Sequence, residues 1–217
     1  MGYTTRDLQA RISTLGFPTT VDGQGGPNTR KATRAAMEFK GVNKEHKLFH
    51  DSGIHSIIWH WTAGRNVPNS FDLKHYNDVF DHEGNQYDGA ARIEHQANYD
   101  WRRGVGVSHS RNANTGRGGL AVAGMAGSQG WPSVKWGSNP ITWEGIDAML
   151  KRTADYCHTF DIPVSKWSTC SHAEIEQTLG IKQRSKWDFM VLPGDSATSN
   201  AVRVGDILRT RLTDRFM

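Results

Sequence analysis

The stretch Ile57–Gly64, IIWHWTAG, decides the fold because it combines a buried strand with a histidine and a tight turn. Its bulky apolar residues are typical of a strand that is covered on both faces, as in the parallel sheets of α/β proteins. A side chain at the carboxyl end of such a strand points into the crevice where these proteins bind ligands. We therefore expect a strand over residues 54–60 and a functional role for His60.

Strands and helices alternate downstream of this stretch. Residues 72–80 are expected to form a strand that leads into a hairpin turn at 81–85, DHEGN. A strand of small residues is expected over 118–126, GGLAVAGMA. Apolar periodicity predicts helices over 141–160, 172–180 and 201–213. Strands interleaved with helices indicate an α/β protein with a mixed central sheet flanked by helices.

The first forty residues have a different pattern, in which a glycine-rich loop separates two helices. Apolar residues recur on one face of a predicted helix over 5–16, and a second helix is predicted over 27–40. The segment that follows is polar and basic. We therefore divide the chain into a small helical domain, a linker and a larger α/β domain, at residues 1–42, 43–52 and 53–217.

Composition narrows the class of protein. The chain has 217 residues and a formal net charge of +4. This mild basic excess suits an anionic partner such as nucleic acid, a membrane surface or a wall polymer, and the dispersed basic residues do not choose among them. The two cysteines, Cys157 and Cys170, make no disulfide framework and are expected to be unpaired thiols. The amino-terminal residues lack the pattern of a signal peptide, and no apolar run is long enough to span a membrane.

Three residues that are distant in sequence form a candidate metal site. His60 ends a predicted strand, His172 opens a short predicted helix after a second extended run, and Asp188 follows in SKWDF. A His-His-Asp set that leaves one coordination position open is typical of catalytic zinc. The chain has ten histidines, and no compact ligand motif joins these three residues. Half-buried, hydrogen-bonded side chains without a metal therefore remain an alternative at this point.

Four segments resemble, in the same order, the zinc N-acetylmuramoyl-L-alanine amidases, whose type 2 amidase fold is shared by phage lysins and peptidoglycan recognition proteins. The likeness spans roughly residues 53–192, in the segments IIWHWTAG, HYNDVFDHEG, SHSRNANTGRGGLAVAGMAG and SHAEIEQTLGIKQRSKWDF. The resemblance implies a Zn²⁺ ion bound by His60, His172 and Asp188. It also implies two catalytic residues, Lys186 and Tyr76, and substrate contacts by His109, Asn114 and Trp61.

The chemistry implied by this resemblance is hydrolysis of the amide bond between N-acetylmuramic acid and L-alanine. Zinc lowers the pKa of a bound water to roughly 7, which makes a nucleophile available near neutral pH. The ammonium group of Lys186 is expected to stabilise the oxyanion, and Tyr76 is expected to orient the water or pass on its proton.

Two features depart from the pattern of the family. Some members carry a catalytic glutamate in a strand of the form IGIELEG, whereas the aligned stretch Leu120–Ala123 has alanine at that position. Without this carboxylate base, the implied mechanism depends on Tyr76 and Lys186. Asp188 follows His172 by sixteen positions, which is longer than in many members. His109 is therefore the strongest rival for the third metal ligand, and Cys170 is a weaker one.

The amino-terminal helices resemble a peptidoglycan-binding domain of the three-helix type. The segments that carry this likeness are DLQARISTLGF and VDGQGGPNTRKATRAAMEFK. The alternative is a small helical cap on the catalytic domain. The amidase resemblance and the wall-binding resemblance both point to peptidoglycan, and together they predict a phage or prophage endolysin.

Such an enzyme would be made in the host cytoplasm without a signal peptide and would act on the cell wall after release. Its expected partner is bacterial peptidoglycan, with no nucleic acid and no stable membrane insertion, and it is expected to be a monomer. One alternative is a protein of the same fold that recognises peptidoglycan without cleaving it. A second is a wall glycosidase that uses two carboxylates, with Glu94 and Glu144 as its possible acids.

Overall fold

Strands and helices alternate along the chain in the computed structural model, which describes residues 2–49 and 51–217. Met1 and His50, which belong to the predicted helical domain and linker, lie outside the described residues. The α-helices are α1 (Thr5–Thr14), α2 (Pro27–Lys40), α3 (Ser70–His75), α4 (Trp143–Phe160), α5 (Ile175–Leu179) and α6 (Ala201–Phe216). The strands are β1 (Ser56–Trp61), β2 (Asp78–Phe80), β3 (Gln86–Asp88), β4 (Arg117–Val122) and β5 (Thr169–Ser171). Of the described helices, none has the length and apolar character needed to cross a membrane.

The five strands form one sheet in the order β3-β2-β4-β1-β5. Strand β3 pairs antiparallel with β2, and the other neighbours are parallel. Helices α4 and α6 pack in the core on one face of the sheet, and α5 packs in a smaller core on the other. The predicted α/β class, with a mixed central sheet flanked by helices, is therefore confirmed.

Strand β1 carries Ile57, Trp59 and Trp61 to one face, and Ile58 and His60 to the other. Successive side chains of a strand alternate between faces, and Ile57, Trp59 and Trp61 all belong to the core beneath α4. The indole of Trp59 also donates a hydrogen bond to the Thr153 hydroxyl on α4, at 2.9 Å. The large core of the domain therefore anchors the strand, and His60 projects on the opposite side.

Residues 72–80, predicted as one strand, are a helix followed by a short strand. Helix α3 begins after Asn69, whose side chain accepts hydrogen bonds from the backbone N–H groups of Phe71 and Asp72. The Asp72 carboxylate accepts in turn from the Asn69 N–H, which completes a capping box. This cap outweighs the extended pattern, so only Asp78–Phe80 is a strand. The turn at 81–85 does join the two strands of a hairpin, β2 and β3.

The strand predicted over 118–126 is shorter in the structure, because β4 ends at Val122. Beyond it, Gly124 has a φ of 149° and Met125 a φ of 74°. Neither conformation continues a strand, so the chain turns away from the sheet here.

The amino-terminal helices have a small core of their own, which contains Leu8, Ile12, Ala36 and Leu48. Leu48 falls within the predicted linker, yet it is fully buried in this core. Two ion pairs join α1 to the α/β body. Asp7 pairs with Arg117 at the start of β4, with both side chains buried, and Arg11 pairs with Asp161 after α4 at 2.5 Å.

Acid is expected to weaken the protein through His55, which lies buried between the two parts. Its Nε2 donates to the carbonyl of Gly2 at 3.1 Å, and burial together with the charge of Arg117 lowers the pKa of His55 to about 4. An imidazole in the unfolded chain titrates near 6.5. The unfolded state therefore binds a proton first as the pH falls, and the free energy of unfolding should decrease between about pH 6.5 and pH 4.

Urea unfolding of the wild type and of His55→Phe over this pH range tests this expectation. The variant should lose less stability across the window, by up to about 3 kcal/mol. Parallel pH profiles of the two proteins would show that His55 does not cause the acid sensitivity.

Candidate metal centre

The three predicted metal ligands lie together at the carboxyl end of the sheet. His60 is near the end of β1, and His172 directly follows β5, which is the parallel neighbour of β1. Because the carboxyl ends of parallel strands meet at one edge of a sheet, the two imidazoles lie side by side in an edge-on arrangement, with ring centroids 4.6 Å apart. Asp188 reaches the same point from the loop after α5, and all three side chains are buried.

The distances within this group suit a small tetrahedral ion. One carboxylate oxygen of Asp188, Oδ2, lies 3.6 Å from Nδ1 of His60 and 3.6 Å from Nδ1 of His172. All three ligand atoms lie within 4.8 Å of one another. Ligand atoms about 2.1 Å from a tetrahedral zinc ion are roughly 3.4 Å apart, so the spacing leaves room for such an ion between them.

The hydrogen bonding of His60 also fits a metal. Its Nδ1 is buried and has no hydrogen-bond partner among the described residues. A buried polar atom without a partner costs free energy, and a metal ion at this point would remove that cost. The group of His60, His172 and Asp188 could therefore hold a metal ion.

The charge states of His60 and Asp188 are those that a metal requires. Burial lowers the pKa of His60 to about 4, so its ring is neutral at pH 7. Burial alone would raise the pKa of Asp188, but its contacts with His172 and His60 outweigh that effect and hold the pKa below its ordinary value. Neutral imidazole and ionised carboxylate are the forms that bind metals.

Gln183 orients the second histidine, a role that sequence reasoning missed. Its side-chain oxygen lies 2.9 Å from His172 Nε2, and its amide donates to the carbonyl of Arg111 at 2.8 Å. With Nε2 donating to this oxygen, His172 presents the lone pair of Nδ1 to Asp188 and the metal position. Gln183 lies in the long segment between His172 and Asp188, so the unusual spacing of the two ligands was the available signal.

His109, the rival third ligand, contacts His60 and is outside the metal-binding group. Its Nδ1 lies 3.1 Å from His60 Nε2, and its Nε2 lies 3.0 Å from the carbonyl oxygen of Arg117. The ring is only 7% exposed, and both nitrogens have partners. Its predicted contact with substrate stays a prediction.

The two predicted catalytic residues differ in their exposure and in their contacts with this group. The ring of Tyr76 is 5.1 Å from the ring of His60, and its hydroxyl donates to the carbonyl of Trp61 at 3.4 Å. Burial and the nearby charge of Asp188 raise the pKa of Tyr76, which keeps the hydroxyl protonated at neutral pH. Lys186 is exposed, and its charge contributes to the lowered pKa of His60. The structure thus places Tyr76 against His60, while Lys186 lies on the surface two residues before Asp188.

The other two predicted substrate contacts, Trp61 and Asn114, are both buried, and their contact with substrate stays a prediction. Trp61 is 4% exposed and packs edge-on against Trp187, with ring centroids 4.7 Å apart. Asn114 is 6% exposed, and its side-chain oxygen accepts from the backbone N–H groups of His109 and Ser110. It therefore shapes the loop around His109, whereas most of the Trp61 ring belongs to the core.

The alternative ligands and acids lie elsewhere. Cys170 is fully buried against Ile58, on the α5 side of the sheet, and burial raises the pKa of its thiol. Cys157 is also a free thiol, with a pKa raised by burial to about 12. Glu94 pairs with Arg92 on the surface, and Glu144 is exposed in the first turn of α4. Neither glutamate lines the groove beside the metal-binding group.

An open groove of about 910 Å³ borders the metal-binding group and includes His172 in its wall. Two aromatic and three cationic residues also line it, namely Tyr99, Trp101, Arg111, Arg184 and Lys186. Among the described residues of this wall there is no aspartate or glutamate. The groove is therefore positively charged and suits a ligand that carries carboxylates.

The fold and the site define an α/β protein with a buried His-His-Asp group, open to a basic groove, that could hold a metal ion. The chain has no match among protein-family models, curated proteins or solved structures. Its function therefore has to follow from the geometry of this group and of the groove beside it.

Proposed function

We propose that the protein is a zinc-dependent N-acetylmuramoyl-L-alanine amidase with the type 2 amidase fold, acting as a phage or prophage endolysin. The observation that carries this proposal is the convergence of three buried ligand atoms, one from each of His60, His172 and Asp188, beside an open groove. A site for a purely structural zinc ion would be closed by a fourth protein ligand. Here the group has three members among the described residues.

His60 and His172 would hold the ion through Nδ1, and Asp188 through a carboxylate oxygen. Zinc bound by such a set supplies a Lewis acid and lowers the pKa of water toward neutrality. The substrate is the amide bond between the lactyl group of N-acetylmuramic acid and L-alanine. The basic groove suits it because the peptide stem of peptidoglycan carries carboxylates.

Lys186 and Tyr76 supply the remaining chemistry. Lys186 is exposed in the wall of the groove, where its ammonium group can donate to the oxygen of the amide as negative charge develops there. The protonated hydroxyl of Tyr76 can orient water or the substrate by a hydrogen bond. Ala121, which pairs with His60 in the sheet, brings no carboxylate to this face, so proton transfer depends on Tyr76, Lys186 and solvent.

The amino-terminal helices are proposed to bind peptidoglycan. Their resemblance to a wall-binding domain supports this role, as does a polar depression of about 390 Å³ around residues 18–29. Holding an enzyme on an insoluble polymer raises the effective concentration of its substrate. The protein would then work as a monomer on the wall, after release from the cytoplasm where it is made.

Digestion of purified peptidoglycan tests the proposed activity. An amidase should release peptides with a new L-alanine amino terminus and should create no new reducing sugar ends. EDTA should abolish the release, and added Zn²⁺ should restore it. New reducing ends that resist EDTA would identify a glycosidase, and binding to the wall without any release would identify a recognition protein.

Replacement of Lys186 by alanine should lower kcat by about 10²- to 10³-fold, because a charged donor to the developing oxyanion is lost. Zinc content should not change, since Lys186 is not a member of the ligand group. Lys182→Ala is the matched control, because Lys182 is an exposed lysine in the same segment. Equal rates for the two variants, or a loss of zinc from Lys186→Ala, would contradict this role.

A further inference from the structure

A buried chain of contacts connects the amino-terminal helix α1 to the metal ligand His60. The carboxylate of Asp7 on α1 pairs with the guanidinium of Arg117. The carbonyl oxygen of Arg117 lies 3.0 Å from Nε2 of His109, and Nδ1 of His109 lies 3.1 Å from Nε2 of His60. The four residues are all at least nine-tenths buried.

The carbonyl oxygen of Arg117 determines which atoms donate in the two hydrogen bonds of His109. A carbonyl oxygen only accepts, so His109 Nε2 carries a hydrogen and donates it to Arg117. A neutral His109 then has a lone pair on Nδ1, where it accepts the hydrogen of His60 Nε2. The other tautomer of His60 would place two bare nitrogens 3.1 Å apart, which is unfavourable.

We propose that His109 is a positioning residue, which holds His60 in the tautomer that presents its Nδ1 lone pair to the metal, and that α1 supports this arrangement through Asp7 and Arg117. Outer contacts of this kind fix the tautomer of a histidine ligand. The inference extends the proposed metal site and does not depend on which substrate is cleaved.

The sheet leaves room for His109 in this position. Gly119 on β4 pairs with Ile58 and lies beneath the ring. A Cβ at residue 119 would be 2.4 Å from Cγ of His109, so a larger residue would displace the ring. Ser110 also approaches Nδ1 of His109, with its hydroxyl oxygen at 3.1 Å, and the hydroxyl can share this acceptor with His60.

The contacts that hold Arg117 in place explain how α1 helps to fix the orientation of His109. The guanidinium of Arg117 donates to the Gly2 carbonyl at 2.9 Å as well as pairing with Asp7. Both ion-pair partners have only 3% of their side-chain surface exposed. The pair therefore ties the first residue of β4, whose carbonyl receives the His109 hydrogen, to the amino-terminal helices.

The tautomer of His60 can be read from the nitrogen-15 NMR spectrum of the metal-free, full-length protein at neutral pH. His60→Ala identifies the signals. The wild type should show a protonated Nε2 and a bare Nδ1 on the ring of His60.

The variant His109→Phe should shift His60 toward the form with a hydrogen on Nδ1, directed at Asp188. His109→Gln should restore the wild-type pattern, because its amide oxygen can accept from His60. A wild type with a hydrogen on Nδ1, or a His109→Phe protein unchanged from wild type, would overturn the role of His109.

Zinc titration against a chromophoric chelator tests the link to α1. His109→Phe should weaken zinc binding by about 10- to 100-fold, and Asp7→Asn by about 5-fold. Asp161→Asn is the matched control, since it removes the other ion pair between α1 and the body without touching Arg117. Equal affinities of the Asp7→Asn and Asp161→Asn proteins would overturn the link to α1.

The tautomer measurement needs neither zinc nor peptidoglycan. If the protein fails to cleave peptidoglycan, the amidase proposal fails while the nitrogen spectrum still decides the role of His109.

Discussion

Replacing His60 by alanine is expected to abolish the proposed binding of zinc and to reduce the proposed amidase activity by about 10³-fold or more. His60 supplies one of three ligand atoms, and alanine leaves only His172 and Asp188 to hold the ion. The fold should persist, because the residues that hold β1 in the large core, Ile57, Trp59 and Trp61, project to the opposite face of the sheet. Metal analysis of the purified variant, peptide release from peptidoglycan and circular dichroism would measure the three effects together.

His95→Ala is the matched control for this experiment. His95 is an exposed histidine in a 3₁₀ turn, outside the metal-binding group. Its variant should keep both zinc and activity. A His60→Ala protein that still cleaves peptidoglycan at the wild-type rate would overturn the proposed mechanism, whatever its zinc content.

Replacing Arg209 by methionine is expected to lower the free energy of unfolding by about 3–5 kcal/mol. Arg209 on α6 donates to the carboxylate of Glu174 and to the carbonyl of Thr169, each at 2.8 Å. Glu174 is fully buried, so methionine would leave its charge unpaired in the protein interior. A loss of this size is a large part of the stability of an ordinary domain.

The effect of this substitution should depend on pH. Burial already raises the pKa of Glu174, while Arg209 opposes the shift. Without the guanidinium, the folded-state pKa rises further above its unfolded value, so the penalty is largest at neutral pH and shrinks as Glu174 takes up a proton in acid. Urea unfolding of the variant and the wild type at pH 7.5 and pH 5 measures this change.

Arg203→Met provides the comparison on the same helix, because Arg203 is exposed. It should change stability by no more than about 0.5 kcal/mol. The prediction fails if both variants unfold at the same urea concentration, or if the Arg209→Met deficit is as large in acid as at neutral pH. Because Glu174 ends the turn that begins at His172, the Arg209 variant should also bind zinc more weakly.

Local patterns in the sequence predicted most elements of the fold. The helix over 27–40 has the predicted bounds, since proline at its start and glycine after its end are both local signals. The first half of the strand expected over 72–80 was wrong, because a side-chain cap at Asn69 favours a helix there. The order of the strands in the sheet came only from the structure, since β1 lies between two strands that follow it much later in the chain.

Some residues of the candidate site could be predicted from the sequence and others could not, because several of its contacts join distant parts of the chain. His60 could be placed because a strand holds it at the edge of the sheet, where α/β proteins bind ligands. His172 and Asp188 were chosen largely by family resemblance, and the structure brings both beside His60. Gln183 and the contact between His109 and His60 were not foreseen, because these residues are eleven and forty-nine positions from their partners.

The sequence by itself determined the α/β class and most of the helices, and it offered the three side chains that could bind a metal as candidates. These properties follow from residues that are close together in the chain, or from residue types suited to one chemistry. Only the tertiary structure decided that His109 contacts His60 and lies outside the metal-binding group, and that α1 is joined to the body by a buried ion pair. Those relations depend on distances of about 3 Å between distant segments, and periodicity along the chain carries no information about such distances.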